Sequence, residues 1–266
     1  MSPRYFDSRS ILGQRVDCTD YDSAVEFIIN MTENGRGGYV CCSTVNMVMS
    51  GHDDPNFRRI VNSADLITPD GMPLVWGLRL QGIRRATQVK GPSLTPILCR
   101  EAANRDIPVG FYGTTEETLE LMQIKLRKEN PNLNIAYVYS PPFRQLTSIE
   151  NEAVIREILA SGVKILFIGL GTPKQISWMA QHKERLPNIV MLGVGAAFDF
   201  IAGVKPIVPL WMEKAGLEWF FRLLCEPRRL WRRYVYYNPR FMWQFGLQMI
   251  GLKDFQRFDP YYKSLK

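Results

Sequence analysis

The chain is poor in the residues that build metal and redox centres. Only two histidines occur among its 266 residues, His52 and His182, far apart in sequence and without ligand spacing. A histidine-based metal site or a Ser-His-Asp triad is therefore not expected. Five cysteines (Cys18, Cys41, Cys42, Cys99 and Cys225) are few, odd in number and lack CxxC spacing. That pattern argues against a disulfide scaffold or zinc ribbon and favours a reducing compartment. The acidic pair Asp53-Asp54 lacks the DxD spacing of metal-dependent sugar-nucleotide enzymes, so no metal is expected. No apolar run of about 18 residues is present, which predicts no membrane span. The opening MSPRYFDSRSILGQRVD has no apolar core of a signal peptide, so a cytosolic chain is expected.

What remains is a globular composition, with 46% hydrophobic and 22% charged residues. Its net charge of +7 is unevenly placed. Residues 1–204 carry 21 basic and 21 acidic side chains, whereas residues 205–266 carry 12 basic and 5 acidic ones. The latter stretch also holds 15 of the 31 aromatics, including Trp211, Trp219, Trp231 and Trp243. A basic, aromatic segment suggests an anionic partner: a membrane surface, a phosphate-bearing ligand or nucleic acid. The expected division is a core over 1–204 and an appendage over 205–266.

Before that boundary, apolar runs at 38–44, 65–68, 108–112, 133–139, 163–169 and 189–194 read as strands. Helical periodicity falls at 24–31, 115–128, 149–159 and 174–186, with Thr114 and Thr115 as candidate caps ahead of Glu117. Alternating strands and helices predict an α/β fold with a mostly parallel sheet covered on both faces, and 163–169 as a central strand.

Ligands of open α/β sheets bind beyond the carboxyl ends of the strands. Those ends carry Thr44-Val45-Asn46, Asp70-Gly71, Gly113-Thr114-Thr115, Gly169 through Gln175 and Gly193 through Asp199. Such a rim, including Gly113, Gly169, Lys174 and Asp199, suits a phosphate-bearing ligand, because glycines let backbone N–H groups approach oxygens. Each feature also has an ordinary reading. GLGTPKQ is neither GxGxxG nor a Walker loop, Asp70-Gly71 fits a simple turn, and Thr44 and Asn46 fit helix caps. Asp199, between Phe198 and Phe200, needs a partner or a function.

In the tail, a helical wheel groups Arg222, Arg229 and Arg233 within about 20°. Leu223, Leu224, Leu230, Trp231 and Tyr234 fall broadly opposite. Pro227 is expected to break the stretch into two helices after Glu226. The ordinary alternative is a solvated basic face packed through its aromatic side.

The series TVN (44–46), ADLITPDGMPLVWG (64–77), GLGTPKQ (169–175), GVGAAFDFIAG (193–203) and WMEKAGLEWFFRLLCEPRRLWRRY (211–234) resembles the WecG/TagA/CpsF glycosyltransferase family, glycosyltransferase family 26. The resemblance covers roughly residues 10 to 238, and the tail is its most specific element. It implies a Rossmann-like core with a helical C-terminal appendage that docks on the membrane and completes the active site. The implied activity is metal-independent, inverting transfer of a sugar from a UDP donor to a polyprenyl-diphosphate-linked acceptor. That reaction takes place at the inner face of the bacterial membrane, in surface polysaccharide or teichoic acid synthesis. N-acetylmannosamine, its uronic acid and glucose are all donors within the family. The resemblance further implies that Thr44 and Asn46 lie in the pocket and that Asp70 is the general base. Gln175 and the appendage residues Arg222, Arg229 and Arg232 would bind the donor.

Two positions depart from the family pattern. An arginine usual in an RVxG element is replaced in Gln88-Val89-Lys90-Gly91, with Lys90 as the candidate substitute, and Ile176 follows Gln175 where glutamate is common. Self-association is left open by the sequence.

The implied chemistry suits these residue types. A positioned carboxylate taking the acceptor proton contributes about 10²–10⁴-fold. Arginines and backbone N–H groups must stabilise the UDP leaving group where no metal does. Arginines supplied by a docking tail would couple catalysis to arrival at the lipid. On that view, deleting 205–266 abolishes transfer and leaves a folded core. A nucleic-acid-binding protein using the basic tail is the alternative, though it leaves the strand-end groups without a purpose. A dinucleotide oxidoreductase would need the GxGxxG fingerprint the chain lacks.

Overall fold

The computed structural model describes residues 6–206, 208–209, 211–212, 217–253 and 255. It begins with an antiparallel hairpin, β1 (Ser8–Ile11) and β2 (Gln14–Asp17). There follow α1 (Tyr21–Glu33), β3 (Gly38–Ser43), α2 (Val45–Asp53), α3 (Pro55–Asn62) and β4 (Leu66–Pro69). Next come α4 (Met72–Leu80), α5 (Gly91–Asn104), β5 (Val109–Gly113), α6 (Glu116–Glu129) and β6 (Ile135–Tyr139). The core closes with α7 (Ser148–Ala160), β7 (Ile165–Gly169), α8 (Lys174–His182), β8 (Val190–Gly193) and α9 (Ala197–Ala202). Strands β3 to β8 form one parallel sheet in the order β4-β3-β8-β7-β5-β6. The architecture is thus the expected α/β one, with β7 central.

Alternation along the strands sorts the core into two layers. Val40, Val109, Phe111, Ile165, Phe167 and Leu192 pack with α1, α5, α6 and α9 on one face. Tyr39, Cys41, Tyr112, Leu166, Ile168 and Met191 pack with α3, α7 and α8 on the other. Thr115 caps α6 as expected, accepting from the Thr118 amide at 3.3 Å. Thr114 does not cap; it takes a left-handed backbone, φ 56°. The helix expected over 174–186 ends at His182 and tightens into a 3-10 turn at Lys183–Arg185.

The hairpin and α2 to α5 carry no clear period in the sequence. Short length, Gly51, and prolines at 73, 92 and 96 obscure them. The hairpin, α2 and α4 build a third cluster in which Ile11, Leu12, Val48, Met49, Leu74 and Leu78 pack together.

In the appendage, α10 (Glu218–Cys225) is capped at Glu226 and Pro227 opens α11 (Pro227–Trp231). The break therefore falls where proline predicts it, so a single continuous wheel through 222–234 does not apply. A π-helical segment (Arg232–Tyr237) leads into α12 (Asn238–Met249). Helix α12 falls mostly beyond the reach of the motif resemblance, and its packing is clear. Phe241 (1% exposed) and Phe245 enter the third cluster. Gln248 accepts the Leu12 amide at 2.8 Å and donates to the Ser10 carbonyl at 2.7 Å. Arg240 forks onto Asp53 at 2.7 and 2.5 Å. Among the described residues, no helix is long and apolar enough to cross a membrane.

Candidate active site

Because β3 and β4 are parallel neighbours with Ser43 opposite Pro69, Thr44 and Asp70 leave the sheet side by side. The amides of Asp70 and Gly71 both donate to the Ser43 carbonyl, at 2.8 and 3.3 Å. Gly71 has an ordinary φ of −92° as the cap of α4, so this is a strand-to-helix junction rather than a tight turn. Segment 88–91 runs along the same edge. Val89 donates its amide to the Pro69 carbonyl at 3.0 Å, and the Gln88 side chain donates to the Asp70 carbonyl. The Gly91 amide, in the first turn of α5, donates to Asp70 Oδ2 at 3.1 Å. The Asp70 carboxylate is thereby oriented by backbone.

Thr44 occupies the cap position of α2 without using its hydroxyl as a cap, which leaves that group for another role. Asn46 lies half-buried in the same turn. Beneath this edge, burial first and the Asp70 charge second push the Cys42 thiol up to about 12. The thiol stays protonated at neutral pH and is no rival nucleophile.

At the centre of the sheet, Gln175 is only 2% exposed. Its Oε1 accepts the amides of Gly171 and Gly195, both at 3.1 Å. One side chain thus ties the loop after β7 to the loop after β8. Gly113 (φ +134°) is required by close approach, since a Cβ there would sit 2.7 Å from the Gly169 backbone. Gly169 in turn meets the Phe198 ring, which a Cβ would approach to 2.6 Å. Lys174 is exposed at the first position of α8.

The carboxylate inside the Phe198–Phe200 run has partners. Asp199 accepts from the Thr114 hydroxyl at 3.2 Å and pairs with Lys205 at 2.6 Å. Lys205 also reaches Glu226 at 3.4 Å. On the other side, Lys90 pairs with Glu218 at 3.5 Å, and Glu218 pairs with Arg222 one helical turn later. The Arg222 guanidinium stands over the Phe200 ring at 4.8 Å. Asp70, Gly91, Lys90, Glu218 and Arg222 thus form one connected run from the edge of the sheet to the appendage. The side chains of Arg229 and Arg232 lie outside the described part of the structure, and no described contact joins Lys174 to this run.

Glu218 and Lys205 escape the sequence reading. For Glu218 a signal exists, since it precedes Arg222 by four positions on a helix. Lys205 has none, because its partners come from distant segments.

Among the described residues, no group of three or more His, Cys, Asp or Glu gathers as metal ligands would. What the arrangement offers chemically is one backbone-held carboxylate beside a hydroxyl and an amide, faced by cations from two parts of the chain.

The chain is 28% identical over 193 residues to the N-acetylglucosaminyldiphosphoundecaprenol N-acetyl-beta-D-mannosaminyltransferase of Bacillus subtilis (strain 168), covering 72% of this chain and 73% of that protein. Residues 9–254 match the family described as Glycosyl transferase WecG/TagA/CpsF family. That match runs from the hairpin through α12 and takes in every strand-end group described above. The chain belongs to the WecG/TagA/CpsF family of glycosyltransferases.

Proposed function

We propose that this glycosyltransferase moves a sugar from a UDP donor, with inversion and without a metal, onto a polyprenyl-diphosphate-linked sugar. The observation that carries this reading is the oriented carboxylate of Asp70, held through Gly91 within one residue of the Lys90–Glu218–Arg222 run. In the proposed reaction Asp70 takes the proton of the acceptor hydroxyl as that oxygen attacks the anomeric carbon and the UDP oxygen leaves. Thr44 and Asn46, beside it, bind the reacting sugars. Cations already at the rim neutralise charge developing on the diphosphate, which is the role a metal fills elsewhere. Gln175 acts as a positioning residue, because its two amide contacts fix the loops against which a donor would lie. Asp199, Gly113, Gly169, Lys174, Arg222, Arg229 and Arg232 complete the proposed donor site.

The acceptor is lipid-linked, and the appendage suits a lipid surface. Trp211, Trp231, Trp243, Ile250 and Leu252 are all exposed on it, within the segment that carries the basic excess. Aromatic and aliphatic side chains set among cations suit an anionic interface. The proposed site of action is accordingly the cytoplasmic face of the membrane. Among N-acetylmannosamine, its uronic acid and glucose, the name of the Bacillus subtilis relative makes N-acetylmannosamine the first donor to test.

Thermal melting with UDP, GDP and a short DNA duplex tests the donor class. Ligand at a hundred times its Kd adds about 2.7 kcal/mol, and each kcal/mol is worth roughly 2–4 °C at this size. A rise with UDP alone, unchanged by EDTA, is expected; a rise with DNA and none with UDP would overturn the reading.

A further inference from the structure

The run from Lys90 to Arg222 contains an element that the proposed reaction does not use. Glu218 places one carboxylate between two cations of different origin. Its Oε2 lies 3.5 Å from Lys90 Nζ of the core, and its Oε1 pairs with Arg222 of the same appendage helix. All three side chains are largely withdrawn from solvent, so screening by water is incomplete. The arrangement is nevertheless poorly matched for a purely structural tie. The buried Nε–H of Arg222 has no hydrogen-bond acceptor. A buried, unsatisfied guanidinium N–H carries a cost, and a larger anion with more oxygens would remove it. Guanidinium and ammonium groups brought together in this way match a diphosphate better than a single carboxylate. Lys90 also directly precedes Gly91, whose amide orients Asp70, so the cations lie at the edge where the reaction is placed.

We propose that Glu218 competes with a bound diphosphate for Lys90 and Arg222, rim cations that the proposed reaction already sets against the diphosphate, and so governs the affinity of that subsite. The proposal rests on the glycosyltransfer reading above and adds to it a residue that opposes binding. A diphosphate entering the subsite displaces the carboxylate, frees α10 from Lys90 and satisfies Arg222. Engagement of the appendage with the core is thereby linked to occupancy of the subsite. Both substrates carry a diphosphate: the nucleotide donor and the prenyl acceptor.

The test is calorimetric binding of UDP, farnesyl diphosphate and uridine to the full-length wild type, Glu218→Gln and Lys90→Met. Glutamine keeps the size and one acceptor oxygen of glutamate but removes its charge. The expected result is a Kd for one diphosphate ligand lower by about three- to tenfold in Glu218→Gln, the size of one partly screened charge interaction. Uridine binding should be unchanged. Lys90→Met should weaken the same diphosphate ligand by about tenfold. A gain confined to UDP assigns the subsite to the donor, and one confined to farnesyl diphosphate assigns it to the acceptor. If wild type binds UDP and Glu218→Gln binds both diphosphates equally or more weakly, Glu218 is only a fastener. The proposal then falls while the reaction reading stands. If no diphosphate binds any of the three proteins, both fall.

Discussion

Asp70 and Gly91 are joined by a hydrogen bond in which the glycine amide donates to the carboxylate Oδ2 at 3.1 Å. The donor lies in the first turn of α5, so the direction of the proposed base is fixed by backbone rather than by a mobile side chain. Asp70→Asn keeps an acceptor for that amide and removes the ability to take a proton. It should lower kcat by about 10²–10⁴-fold while leaving the Kd for UDP within about threefold. Single-turnover transfer and UDP calorimetry on the same preparation check both halves. A variant retaining most of its kcat would remove Asp70 from the base role.

A second relationship ties the appendage to the core. Arg240 holds the Asp53 carboxyl below its ordinary value of 3.8, chiefly through their side-chain hydrogen bonds. A depressed carboxyl stabilises the folded state above its unfolded pKa, and that contribution is lost as pH falls through the folded value. The pair is partly exposed, so Arg240→Ala should cost only about 0.2–1 kcal/mol at pH 7. The difference between wild type and variant should close progressively below pH 3.8. Urea melts at pH 7 and across the acid range measure it; an unchanged gap in acid would contradict the pairing.

Burial of α12 alters what truncation can reveal. Phe241 and Phe245 belong to the cluster formed by the hairpin, α2 and α4. Cutting at 205 exposes that cluster, and Phe245→Ala alone should cost about 3–5 kcal/mol. Loss of activity on truncation would therefore mix catalysis with folding, whereas point changes at Lys90, Glu218 and Arg222 keep them apart. A melting temperature for Phe245→Ala equal to wild type would show that α12 does not pack this way.

Close approach of two strand ends predicts a sharp response at Gly113. An alanine there combines a φ of +134° with a contact of 2.7 Å to the Gly169 backbone. The expected cost is about 2–5 kcal/mol, read as a fall in melting temperature of roughly 5–15 °C. Wild-type stability in this variant would mean that β5 and β7 part easily at their ends.

The proposed lipid contact runs through exposed aromatics of the appendage, of which Trp243 is 67% exposed. Replacing Trp231 and Trp243 together by alanine should reduce flotation with anionic vesicles by about tenfold, as loss of buried apolar area predicts. UDP binding should be retained. Undiminished flotation would place the membrane contact elsewhere.

Much of this was legible in sequence because strand and helix periods differ. The β7 run ILFIG and the helical spacing of α6 are long enough to show their type. Helices α2 and α4 are nine residues each and interrupted by glycine, so their identity is fixed by packing against the hairpin and α12 rather than by local pattern. At the site, the strand-end positions of Thr44 and Asp70 follow from topology alone. The link from Lys90 to Glu218 does not, since nothing local to either residue specifies where α10 will lie. The partners of Asp199 were hidden for the same reason: Thr114 comes from the end of β5 and Lys205 from the chain after α9.

Product formation tests metal-independent transfer by this chain directly. Full-length protein on anionic vesicles would be given polyprenyl-diphosphate-linked N-acetylglucosamine and each of the three UDP-sugars in EDTA, with the lipid followed by mass spectrometry. Metal-independent transfer with Asp70 as base predicts a lipid heavier by one sugar, an equal amount of UDP released, and no product with Asp70→Asn. Failure with every donor while UDP still binds, or transfer only after a divalent metal is restored, would contradict it.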